Sequence, residues 1–80
     1  MNEMRRFVLY RPNPPENYVQ DGYANLPEEI QLEGVVFSDG TCVIRWCTST
    51  KSHSVWSSFD DFMEVHGHPE YKTILKWLDD

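Results

Sequence analysis

The sequence is poor in the residues that announce a covalent framework or a buried catalytic machine. Two cysteines, Cys42 and Cys47, stand among 80 residues, too few for a disulfide-stapled scaffold. On one strand, their spacing of five would put them on opposite faces, where they neither pair nor share a metal. The longest apolar runs are three or four residues, far short of what a membrane helix needs. No secretory leader is visible, so the chain is expected in the cytosol, off membranes and with reduced thiols. Basic residues are also scarce: 7 against 13 acids, for a formal net charge of −6. That disfavours direct nucleic-acid binding, which rewards a basic surface. There is no Gly-rich phosphate loop, zinc-protease helix or nucleophile elbow. Catalysis is therefore the weaker expectation, and no cofactor is expected.

What is present fits one domain over residues 1–80. Three Trp, four Tyr and four Phe supply a compact core. A chain this short buries only roughly 60–65 % of its surface. A ligand site is then expected to be shallow, or shared between subunits of a homo-oligomer.

Along the chain, Arg6–Arg11 reads as a first strand, with Phe7 and Leu9 on one face and Val8 and Tyr10 on the other. Residues 12–32 read as a long loop with Tyr18 and Tyr23 as anchors. Within it, Leu26–Ile30 forms one short helical turn, led by Pro27. Asp39-Gly40 sits between two β-rich runs, a type I′ hairpin signal. A two-residue turn pairs Ser38 with Thr41, Phe37 with Cys42 and Val36 with Val43. The core face is then Val35, Phe37, Cys42, Ile44 and Trp46. The second face is Val36, Val43, Arg45 and Cys47.

His53–Ser57 reads as a fourth strand. Ser58 is a good N-cap for a helix carrying Asp60 and Asp61 in its first turn. Phe59, Phe62, Met63 and His66 share one helical face. Gly67 suits the C′ position, and Pro69 forbids the helix's return. Lys72–Leu78 is the last strand. The expected fold is α+β: an antiparallel sheet of about five strands in ββββαβ order, with one helix packed on one face.

Candidate chemistry is sparse. His66 and His68 are weak metal candidates, since a zinc site needs three or four converging ligands. The plainer reading gives His66 to the helix face and its C-terminal carbonyls. Arg45 could hold an anionic group, or cover apolar atoms with its stem. Arg5, Arg6 and Arg11 would join it if the first strand lies beside the hairpin. Tyr10, Tyr18 and Trp56 are the candidates for stacking on a ring. Asp60, Asp61, Glu64 and Glu70 form an acidic set that could dock on a basic protein.

Several pieces recur in order: Glu33-Gly-Val-Val-Phe-Ser-Asp-Gly-Thr41, Ile44-Arg-Trp46, Ser54-Val-Trp56, Val65-His-Gly-His68, and Ile74 through Trp77-Leu-Asp79. This layout, over about residues 33–79, resembles a family of small bacterial and phage proteins with no assigned activity. The resemblance implies a phage or prophage origin. With the missing catalytic motifs, it leads to the first expectation: a non-catalytic anti-defence factor, an oligomer that sequesters a nucleotide-like immune signal in the host cytosol. The alternative is an acidic inhibitor that blocks a host protein. A third is a structural, self-associating domain.

Overall fold

Alternation along β1 (Arg5–Tyr10) organises the molecule, a computed structural model that describes residues 3–79. Phe7 and Leu9 point inward and are fully buried. α1 (Glu16–Gln20) follows, then β2 (Ile30–Val36), β3 (Cys42–Trp46), β4 (His53–Trp56), α2 (Phe59–His66), a 3-10 turn at Pro69–Tyr71, and β5 (Ile74–Trp77). The five strands form one antiparallel sheet in the order β4-β3-β2-β1-β5. The first strand thus lies between β2 and the last strand. The expected α+β sheet is present, with α1 and the 3-10 turn in addition.

α2 covers one face. Phe62 is buried from above, against Phe7, Leu9, Leu32, Cys42 and Ile44 from the sheet. Phe7 meets Phe59 and Trp77 edge-on, with centroids 5.4 and 5.3 Å away. Directly across from Phe7 in the register is Gly34. A Cβ built there would run into the Phe7 ring, so the glycine makes room for the aromatic. α2 begins as expected: the Ser58 hydroxyl accepts from Asp61 N–H at 3.1 Å. Its end differs. Gly67 keeps right-handed helical geometry (φ −66°), and the left-handed residue is His68 (φ 40°). Pro69 stops the helix from continuing through His68, because a residue before proline is pushed out of the right-handed helical region.

The hairpin register also differs, by one residue. β2 and β3 pair Val36 with Cys42 and Val35 with Val43. The loop holds three residues, Ser38–Gly40: Gly40 N–H donates to Phe37 O at 2.9 Å, and Phe37 N–H to Thr41 O at 2.8 Å. Gly40 is left-handed (φ +95°), and the Asp39 carboxylate accepts from Thr41 N–H at 2.9 Å. This is a type I turn closed by a left-handed glycine, which adds a residue to the loop. Val36 therefore packs on the core, while Val35 and Phe37 face the opposite side. β2 also starts at Ile30, which lets Leu32 and Gly34 share the inward face with Val36.

The segment between β1 and β2 is tied down. The Asn25 side-chain N–H₂ donates to Ile30 O at 2.9 Å and to Cys47 O at 2.8 Å. The buried Gln31 side chain accepts from Asn25 N–H at 2.9 Å. The expected helical turn near Pro27 is a single hydrogen-bonded turn, Glu29 N–H to Leu26 O. The helix of this segment is α1, started by Pro15. β5 begins at Ile74 because Lys72 is left-handed (φ 54°). Both cysteines are free, with Cys42 in the core. No helix of the described residues is long and apolar enough to cross a membrane.

Candidate functional site

The alternation that buries Phe7 and Leu9 carries one step past β1, to Arg11. Its side chain lies on the α2 side, where the guanidinium Nη2 donates to His66 O at 2.8 Å. Arg11 is only 7 % exposed, a desolvation that lowers its pKa, although an arginine stays charged. Its cation lies 5.4 Å from the Tyr71 ring and 5.9 Å from the Trp46 ring. Its Nε has no hydrogen-bond partner, and among the described residues no carboxylate forms an ion pair with it. In a chain of net charge −6 this is unusual. Glu70 acts on Arg11 only through space, so the buried cation is incompletely offset, and an anion would reduce that cost.

His66 sits beside it at the end of α2, wedged between Trp46 and Trp56 with centroids 5.0 and 5.3 Å away. Burial lowers its pKa, and the neighbouring Arg11 and His68 add to the shift. His66 is thus held neutral at pH 7. His68 lies 6.2 Å from it, stacks on Tyr71 at 4.7 Å, and places Nδ1 3.3 Å from Glu70 Oε2. The turn that presents His68 and Tyr71 is bracketed by the left-handed His68 and Lys72. Such backbone is strained in non-glycine residues and is held here by Thr73 Oγ1 donating to His68 O at 2.9 Å. Tyr18 of α1 reaches Tyr71 at 6.5 Å and Tyr23 at 6.1 Å. A band of rings therefore runs from Tyr23 through Tyr18, Tyr71, His68 and His66 to Trp56.

The other candidates lie elsewhere. Strand alternation puts Arg5 and Arg6 on opposite faces. Arg5 stacks over Trp77 at 3.9 Å. Arg6 grips Asp79 through Nη2 at 2.8 Å and Nε at 3.1 Å, and its backbone N–H adds a third bond. These bonds push the Asp79 carboxyl down to about 2. Arg45 pairs with Glu33 at 3.2 Å on the face away from α2. Arg6 and Arg45 line a shallow concavity of about 330 Å³ there, with Val8, Val35 and Val43. Tyr10 is half-buried; it sits on the same face by alternation. Of the expected ligand set, Arg11, Tyr18 and Trp56 reach the His66 end. Arg5, Arg6, Arg45 and Tyr10 do not.

The acidic set divides as well. Asp60, Asp61 and Glu64 are exposed on α2, whereas Glu70 turns toward His68. Among the described residues, no three His, Cys, Asp or Glu side chains converge on a point where a metal could sit. Reading the sequence missed two members of the cluster, Trp46 and Tyr71. Trp46 reads as a core residue of its strand, and the 3-10 turn that aims Tyr71 leaves no periodic signal.

Fold and site together define a small single-sheet α+β protein whose arginine, imidazole and aromatic chemistry gathers at one end of the sheet. Residues 30–79, more than half of the chain, match the family model of the Acb5 phage protein, and the chain belongs to that family. His66, His68, Tyr71, Trp46 and Trp56 lie inside the matched region, and Arg11 and Tyr18 before it. No curated protein and no solved structure matches the chain.

Proposed function

We propose that the chain is a phage anti-defence protein that disarms a nucleotide-like immune signal at the Arg11–His66 end of the sheet. The family name points to an anti-CBASS role, and the chemistry of the site suits such a ligand. The observation that carries the reading is the buried Arg11 cation, which forms no carboxylate ion pair among the described residues and is flanked by Trp46 and Tyr71. A phosphate supplies the missing negative charge, and the ring band stacks a base. Capture without cleavage is the form expected from the missing catalytic motifs.

One observation favours a second form. A neutral imidazole, His66, stands 6.2 Å from a second imidazole, His68, beside an arginine. Such a group can split a phosphodiester: one imidazole takes a proton from the attacking water, the other returns a proton to the leaving oxygen, and the guanidinium stabilises the phosphate. The products are a phosphate monoester and an alcohol, with water consumed.

One experiment tests the reading and separates its forms. The full chain is titrated with a panel of cyclic di- and trinucleotides, then denatured, and the nucleotides are chromatographed. Binding that weakens at least ~10-fold in Arg11→Met, while Asp60→Lys with Asp61→Lys retains it, supports the site. A nucleotide recovered intact means capture. A linear product that His66→Ala abolishes means hydrolysis. No binding or turnover across the panel at ~1 mM overturns the reading and leaves the acidic inhibitor, tested by whether the doubly lysine-substituted α2 loses a protein partner.

A further inference from the structure

The face of the sheet away from α2 is independent of that site, and no helix residue lines its concavity. Alternation sends Arg6 and Val8 of β1, Glu33 and Val35 of β2, Val43 and Arg45 of β3, Val55 of β4 and Lys76 of β5 to this side. Val35, Val43 and Val55 stand directly opposite one another across three strands and form a lateral apolar row. Val55 is 70 % exposed, and Leu78 and Phe37 at the margins of the face are exposed too. A monomer gains nothing from presenting this row to water.

We infer that this face is where two copies of the chain meet, sheet against sheet about a two-fold axis. Charge selects a second copy as the occupant. The chain carries −6, yet this face holds three cations, Arg6, Arg45 and Lys76, against Glu33 and Asp79. Acids elsewhere on the surface repel another copy, and this near-neutral side does not. Glu33 and Arg45 are register partners near the middle of the sheet. A two-fold axis there sets each Glu33 over the other copy's Arg45, which makes the patch self-complementary, as an isologous interface requires.

Size sets the strength. Five strands spaced ~4.8 Å apart and ~17 Å long offer about 400 Å² per copy. The ~800 Å² total is below the ~1,600 Å² of a standard interface, so the dimer is a weak, reversible one. Its symmetry sets the two Arg11–His66 ends on separate copies, with neither completing the other.

The test is sedimentation of the full chain from ~1 µM to ~1 mM. The expected result is a concentration-dependent shift from the 9.5 kDa chain to twice that mass. Val55→Glu, at an exposed position that tolerates the change, leaves it monomeric. Glu33→Arg alone and Arg45→Glu alone each place like charges face to face and are monomeric. Mixed one to one, the two variants form a heterodimer, because one now presents a positive face and the other a negative one. A restored intramolecular ion pair cannot produce that result. The inference is overturned if the unaltered chain stays monomeric to ~1 mM. It is equally overturned if the dimer survives Val55→Glu or either reversal, or if the mixed variants fail to associate.

Discussion

Single positions in the central strands carry more of the fold than their size suggests. Gly34 has nothing to pack, yet the Phe7 ring occupies the space that any side chain there would need. Gly34→Ala forces the ring or the strand to shift, an overpacking that costs about 1–3 kcal/mol. In a chain this short each kcal/mol moves Tm by roughly 4–8 °C. Thermal denaturation should show that fall, and Phe7→Leu added to Gly34→Ala should recover part of it, because the two substitutions share one contact. The cysteines give a second test. Burial pushes the Cys42 thiol up to about 11 and leaves no surface for a reagent. Cys47 lies just past β3 and is half-buried. Iodoacetamide at pH 8 is expected to add one carbamidomethyl group to the folded protein, at Cys47, and two after denaturation. Fast double labelling of the native chain would show that the core opens near Cys42.

At the scale of the element, legibility followed periodicity. α2 could be read to the residue because three independent signals agree: Ser58 as cap, acids in the first turn, and the Phe59, Phe62, Met63, His66 face. Ser58→Ala removes the acceptor for Asp61 N–H and should cost about 1 kcal/mol, read as a drop in denaturant midpoint with an unchanged slope. The hairpin was legible as a hairpin and misread by one residue. Asp-Gly fits both a two-residue turn and a three-residue turn with a left-handed glycine, and the sequence of the turn does not choose between them. The choice belongs to the core, which needs Leu32, Gly34 and Val36 under Phe7, Leu9 and α2. The N-terminal segment was hardest to read, because its order comes from Asn25 and Gln31 bonding to distant backbone, with no period to betray it. The candidate site was half legible for the same reason. Arg11, Tyr18 and Trp56 were singled out as ligand groups and His66 and His68 as weak metal candidates. Their convergence depends on strand order and on the His68 turn, neither of which leaves a local pattern.

Over the whole molecule, the response to pH follows from two groups whose surroundings shift them, Asp79 and His66. Asp79 is held down to about 2 by Arg6. Its contribution is complete above its ordinary value of 3.8 and disappears as pH falls through 2. His66 acts earlier. Its folded pKa lies below the ordinary 6.5 because the proton would enter a site between two tryptophans and beside Arg11. The unfolded chain therefore takes up that proton first as pH drops below 6.5, which favours unfolding. Stability is full above 6.5 and declines as pH falls through the interval below it. Two acid limbs should thus appear in the denaturant midpoint: one beginning near pH 6.5, one below pH 4. Replacing His66 by Phe, which keeps the ring between Trp46 and Trp56, should flatten the first limb and leave the second. Arg6→Met should shrink the second limb and leave the first, since it removes the guanidinium while the backbone N–H of residue 6 still donates to Asp79. If His66→Phe leaves the first limb unchanged, the imidazole titrates as in water and is not held neutral by its surroundings.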